Sequence, residues 1–427
     1  MQRFKMLHLI CIVSLLLVCL IGTAQSAEVK SNWPKTPAEG SKAYYKWIKY
    51  CFSRLEEDMP SISASADAAA QKFVKDDYKI AAWGDPGFVA EFTSRAGGLM
   101  PVSTISDSAA VPEKTIILIA LTDMGLRNEL AKIKAFRANG NVVVAFARTS
   151  IIEKTHAIGA HFDSVIDNCA AEEDGLFRGN TGFWMVPTNP TANTIALWTW
   201  TGEFIGACRR LGKMPVIRQS ECVSGGQERN AKYTSVGRFH DGSVLPSKPC
   251  TIGIDYLKKL GENFDQVFAG EGRNLRAASE LAIAARRAHH NLYYWTSART
   301  VSPDQEYAGD PGYFKPVSDF TYQINQDTLF KSGDYLLCIS GEHLQNQGLV
   351  SKARESGATL VWSMPDYVTD SSKVIGSGEI YVNQHCAVGD AVCTVPYYDV
   401  KILPTSGVIA QSMLWMISAD IYKSEHK

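Results

Sequence analysis

The chain has 427 residues, 45% of them hydrophobic and 20% charged, with a formal net charge of -1. That is an ordinary globular composition with length for two domains of usual size, and it excludes a disordered or fibrous chain. The near-balanced charge supplies no field to hold nucleic acid or an acidic membrane.

The first 27 residues have the three-part layout of a secretory signal peptide: Arg3 and Lys5, an apolar stretch from Leu9 to Ile21, then small residues. Ala24-Gln25-Ser26 or Gly22-Thr23-Ala24 would suit the cut; an uncleaved anchor helix is the other reading. No later stretch is long and apolar enough to span a bilayer, so an exported, periplasmic or extracellular protein is expected. Ten cysteines less Cys11 and Cys19 leave eight in an oxidising compartment. Cys386 with Cys393, and Cys222 with Cys250, are local candidates for pairing, although sequence alone does not set connectivity. Cys338 reads as a small buried hydrophobe. No C-x-x-C occurs and no metal is expected.

After a helical region over 42–74, short Ile- and Val-rich runs read as strands of a parallel sheet buried on both faces: Lys79–Trp83, Pro101–Ile105, Thr115–Leu121, Asn141–Ala147 and Ser164–Asp167. Helical patterns lie between them at Gly87–Ala96 and Gly125–Asn139, and a last helix covers Ala192–Leu211. The segment 218–252 is rich in turn formers and reads as a linker. A second series then follows: helix Ile254–Leu260, strand Gln266–Ala269, a glycine turn, helix Leu275–His289 and strand Leu292–Thr296. It continues with strand Asp334–Ser340, helix Gln345–Ser356, strands Ala358–Ser363 and Gly378–Val382, and helix Val408–Tyr422. "RANGNVVVAF" is matched by "RESGATLVWS", and "PTANTIALW" by "PTSGVIAQS". Strands alternating with helices give an α/β fold, and the repeated order gives two tandem doubly wound parallel-sheet domains, flavodoxin-like, related by internal duplication: 44–217 and 253–427.

This order resembles the SIS (sugar isomerase) domain family, from about residue 44 to 422. A phosphate turn of the form Ile-Ser-x-Ser-Gly-x-Thr-x-Glu is matched in part by "LTDMGLRNE" (Thr122, Gly125 and Glu129, with Arg127 in place of Thr) and by "LCISGEHLQ" (Ser340 and Gly341). The resemblance implies a sugar or sugar-phosphate ligand, a binding role with catalysis lost, or else a phosphosugar aldose–ketose isomerase. It implies no cofactor; homo-oligomerisation is left open.

In open α/β sheets, ligands sit at the carboxyl ends of the strands, where free helix N–H groups favour an anion. Thr122, Gly125 and Arg127 would lie there in the first copy, and Ser340 and Gly341 in the second. Asp123 and Glu342 would oppose a phosphate by charge. Glu342 and His343 form the candidate acid/base pair for moving protons beside a carbonyl; a solvated helix cap is the plain alternative. Gly270, Glu271, Gly272, Arg273 and Asn274 read as the turn after the second copy's first strand, bordering a sugar pocket, or as a tight turn only. A lone Gly-x-Gly without the spaced ribose-binding acid excludes a dinucleotide site. Thr405 and Ser406, like Thr191, Asn193 and Thr194, are expected to cap the last helices with their own side-chain oxygens, with a ligand contact as the alternative. Trp83, beside the first glycine turn, could stack on a sugar ring; core packing is the alternative.

Overall fold

The computed structural model describes residues 34–121, 123–148, 161–180, 182–240, 242, 244–296, 309–317, 329–340, 347–367 and 374–426. The signal-like segment 1–27 lies outside them.

Two helices lead the first half, Glu39–Glu57 and Met59–Lys75, where the sequence suggests one helical region. Proline in the first turn of the second has no N–H for a continuous helix, so the chain breaks at Asp58. Then come β1 (Lys79–Gly84), β2 (Val102–Thr104), β3 (Thr115–Ala120), β4 (Val142–Ala147) and β5 (Ser164–Asp167). They form one parallel sheet in the order β2-β1-β3-β4-β5. A hairpin, β6 (Gly175–Arg178) and β7 (Trp184–Pro187), leads to a closing helix, Asn189–Arg210.

The second half repeats this plan. Helices Thr251–Gly270 and Gly272–Arg287 precede β8 (Leu292–Thr296), β9 (Phe314–Pro316), β10 (Tyr335–Ile339), β11 (Thr359–Met364) and β12 (Ile380–Asn383). The sheet order is β9-β8-β10-β11-β12, the same as in the first half. The hairpin β13 (Ala391–Cys393) and β14 (Ile402–Pro404) leads to the closing helix Ser406–Glu425. The expected α/β fold with two parallel sheets is therefore observed. The segment 218–252 is not bare linker, since it holds the helix Gly226–Val236. All eight cysteines of the described residues are free, so neither Cys386 and Cys393 nor Cys222 and Cys250 are bonded.

One expected strand is overturned. Gln266–Ala269 is the end of the helix Thr251–Gly270. Ile252, Tyr256, Leu260, Phe264 and Val267 are buried at helical spacing along it, and that stripe carries the apolar run into the helix. The first strand of the second sheet is β8, and Gly270–Asn274 is a junction between two helices.

The backbone records the duplication closely. Residues other than glycine rarely hold a positive φ. Yet Asp77 (61°) matches His289 (60°), each just before its half's first strand. Cys169 (61°) matches His385 (50°) after the last strand, Asp174 (59°) matches Asp390 (62°), and Val186 (66°) matches Leu403 (67°) before the closing helix.

Strand residues alternate between two faces. Ile80, Ile116, Leu118, Val144 and Phe146 face a central core shared with Leu337, Ile339 and Val361 of the other sheet. Ala81, Ile117, Ile119 and Val143 face an outer cluster under the helix Asp123–Ala138, and Leu336, Cys338, Leu360 and Trp362 face another under the helix Gln347–Glu355. The two closing helices fill the centre and are buried nearly throughout. That explains why their sequences show no amphipathic stripe.

Each closing helix packs on a leading helix of the opposite half, Asn189–Arg210 on Thr251–Gly270 and Ser406–Glu425 on Glu39–Glu57. A buried carboxylate fixes each crossing. Asp420 accepts from the Ser41 backbone N (2.7 Å), the Ser41 hydroxyl and the Ser279 hydroxyl (2.7 Å). Glu203 accepts from the backbone N of Gly253 (2.9 Å) and Cys250 (2.8 Å) and from the Ser63 hydroxyl (2.7 Å). Both acids stand at the same place in their helix, fourteen residues after Asn189 and Ser406. Both sit at a helix N-terminus, where unpaired N–H groups and the dipole favour negative charge. The approach is so close that a Cβ on Gly40 would lie 2.2 Å from the backbone carbon of Ala419.

Asp420→Ala and Glu203→Ala should each cost about 2–4 kcal/mol, because buried donors lose their acceptor. Urea unfolding followed by tryptophan fluorescence checks this, with loss at either position lowering the midpoint for both halves together.

Candidate functional site

The carboxyl ends of the two sheets are where a ligand crevice belongs. In the first half β1 ends at Gly84, whose φ of 97° only glycine holds easily. Asp85 follows and accepts from the Phe88 backbone N at 2.7 Å, capping the helix Pro86–Ser94. Glu129, on the helix Asp123–Ala138, reaches the same spot, its Oε1 4.0 Å from where a Gly84 Cβ would be. Burial raises the Glu129 carboxyl above its ordinary value, and the charges of Asp107 and Asp85 push it further the same way.

Trp83 is buried and packs edge-on against Phe136, its Nε1 donating to Asp107 Oδ1 at 2.9 Å. It belongs to the wall and is not open for stacking on a ring. Thr122 lies outside the described residues, and Gly125 and Arg127 fall in the first turns of the helix Asp123–Ala138. The described carboxylates Asp85, Asp107 and Glu129 thus meet at this end, a setting that opposes a phosphate dianion.

In the second half Ser340 follows β10 and is fully buried, its N–H donating to the Ser363 carbonyl (2.9 Å) and its carbonyl accepting from Gln384 Nε2 (3.2 Å). Gly341, Glu342 and His343 lie outside the described residues. Thr405 and Ser406 are buried at the start of the closing helix. Their own oxygens do not cap it. Asp390 does, accepting from the backbone N of Thr405 (3.2 Å) and Ser406 (2.8 Å) and from the Ser406 hydroxyl (2.7 Å). Asp174 serves the first half's closing helix likewise, through the Asn189 N–H at 2.7 Å, so Thr191, Asn193 and Thr194 are not the cap either. A side chain outside the helix can reach two N–H groups at once, whereas Thr188 and Thr405 are already in the helical region and cannot fold back on them. Arg95 of the first half joins Asp390 (3.4 Å) to the buried Glu91 (3.1 Å) and also bonds the Ser406 hydroxyl. Burial raises the Glu91 carboxyl, with the Arg95 charge and the Trp198 hydrogen bond opposing.

At the helix junction, Glu271 stands between two groups. Its Oε1 is 3.2 Å from His385 Nε2, and its Oε2 accepts from Asn274 Nδ2 at 2.9 Å. Gly270 lies beside the same imidazole, and Gly272 lies under the passing backbone of Lys35. Arg273 is exposed. The structure therefore brings together Gly270, Glu271 and Asn274 of the expected turn with His385, a residue sequence reasoning missed. The capping acids Asp174 and Asp390 were missed too; each lies five residues after the matched left-handed residue of its half, Cys169 or His385.

Neither a family model nor a curated protein matches the sequence. Solved structures similar to the chain include the C-terminal domain of glucosamine-fructose-6-phosphate aminotransferase from Francisella tularensis, at 10% identity and a TM-score of 0.48, covering 89% of this chain and 96% of that one. Another is the glucosamine-6-phosphate deaminase of Thermotoga maritima, at 8% identity and a TM-score of 0.42, covering 90% and 95%.

The raised Glu129 carboxyl fixes the sign of a pH effect. A folded-state value above the unfolded one, about 4.3, means that stability from this group is present below that pH and lost as pH rises through the folded value. Glu129→Gln should therefore raise Tm at pH 8 and leave it unchanged near pH 3, measured by calorimetry at both.

Proposed function

We propose that this chain is an exported, sugar isomerase-like protein that binds a sugar derivative and has given up phosphosugar isomerisation. The carrying observation is two sheets of identical strand order, with Asp85, Asp107 and Glu129 gathered at the strand ends of the first. The doubled sheet fits the SIS resemblance. The acidic wall fits a neutral or amino sugar and works against a phosphorylated one, because a carboxylate about 4 Å from a phosphate charge costs on the order of 1–4 kcal/mol per pair. The leader-like residues 1–27 support export, and phosphorylated sugars are chiefly metabolites of the cell interior.

Thermal unfolding of the chain lacking residues 1–27, against glucosamine, N-acetylglucosamine, glucose and their 6-phosphates, tests this reading. A ligand that binds only the native state raises the midpoint by mass action. A rise with the unphosphorylated sugars and none with the phosphates is expected. A rise confined to the phosphates, with aldose–ketose turnover lost in Glu342→Gln, would establish the isomerase instead.

A further inference from the structure

The internal duplication allows each half to be used as the control for the other. In the first half, the helix Glu39–Glu57 lies against the loop after β5, and Trp47 fills the gap between them. The ring is buried and its Nε1 donates to the Cys169 carbonyl at 3.2 Å. In the second half the helix Thr251–Gly270 lies in the same way against the loop after β12. The matched left-handed residues Cys169 and His385 mark the same point of the loop, and each donates its backbone N–H to the side chain two residues earlier, Asp167 at 3.0 Å and Asn383 at 2.8 Å. Counting from the residues held by the two buried carboxylates, Ser41 and Gly253, the position of Trp47 is occupied by Lys259.

Lysine does not fill the space that the indole fills. A hollow of about 230 Å³ is left, lined by Lys259, Glu262, Asn263, Gln266, His385 and Lys401 among others. One water takes roughly 30 Å³ of liquid, so the hollow has the scale of one monosaccharide. Three of its wall residues have partners. Lys259 is drawn aside to Asp255 (2.8 Å), and His385 is braced by Glu271 (3.2 Å). Asn263 is 6% exposed, and its Nδ2 donates to the Gln384 carbonyl at 2.8 Å, which fixes the amide orientation. Among the described residues its Oδ1 has no hydrogen-bond partner. An acceptor already removed from water favours a ligand that brings a donor.

We propose that this hollow, between the helix Thr251–Gly270 and the loop after β12, binds a single hydroxylated sugar ring in the place that Trp47 takes in the first half. Hydroxyls can donate toward Asn263, Gln266 and Glu262 and accept from Lys401 and Gln266. This inference deepens the sugar-binding reading and rests on it, while placing the site at the edge of the second sheet rather than at the strand ends of the first.

The test is isothermal titration of the chain lacking residues 1–27 with glucose, glucosamine and glucuronate, which share the ring and differ in charge. Lys259→Trp restores the first half's plug, and Gln266→Ala removes a polar wall at an exposed position without filling it. At least one of the three sugars should bind, at least tenfold more weakly to Lys259→Trp and severalfold more weakly to Gln266→Ala, with the far-ultraviolet circular dichroism unchanged. If Lys259→Trp fails to fold, Gln266→Ala decides. Sugar binding untouched by the variants would overturn the hollow and leave the sugar-binding reading standing. Absence of binding by all three sugars would overturn both.

Discussion

The architecture depends on two buried carboxylates that each serve the other half of the molecule. Glu203 and Asp420 take the orphan N–H groups of a leading helix that belongs to the opposite copy. Removing a carboxylate from water is expensive, and burial raises the Asp420 carboxyl, opposed by the hydrogen bonds from Ser41 and Ser279. The arrangement persists because donors and acceptor satisfy one another in the same place. Asp174 and Asp390 apply the same solution at the start of the closing helices, so four acids hold the helical centre between the sheets.

The sheets were legible in the sequence because their strands are continuous Ile- and Val-rich runs with helices between them. β5 and β8 have the bounds that the sequence suggests. The short pairs β6 with β7 and β13 with β14 have three or four residues per strand, too few for a period to declare itself. The helix Thr251–Gly270 was misread at its end because "QVFA" is apolar over four residues in either conformation. Only the stripe from Ile252 to Val267 separates the two. Around the candidate site the difficulty is distance along the chain. Glu271 and His385 meet across 114 positions, and no local pattern announces such a contact.

The two halves have diverged in different ways. The left-handed positions at Cys169 and His385, and at Val186 and Leu403, were kept although the residues changed. A non-glycine residue in that region costs energy that the surrounding packing must offset, so the backbone path is held by the fold rather than by the local side chain. Side chains next to that path have been free to change. A tryptophan closes one gap and a lysine leaves the other open, while the first sheet's strand ends have collected carboxylates.

The bond between Ser41 and Asp420 joins residues 379 positions apart. During synthesis the helix Glu39–Glu57 emerges long before the acid that completes its N-terminus, and it must wait for the helix Ser406–Glu425. A product cut short before the last helix keeps both sheets' strands but exposes the apolar surface of Glu39–Glu57 and leaves its first N–H groups without the carboxylate. The helix Ser406–Glu425 thus acts as a check on assembly: only a chain that includes it can bury the helix Glu39–Glu57.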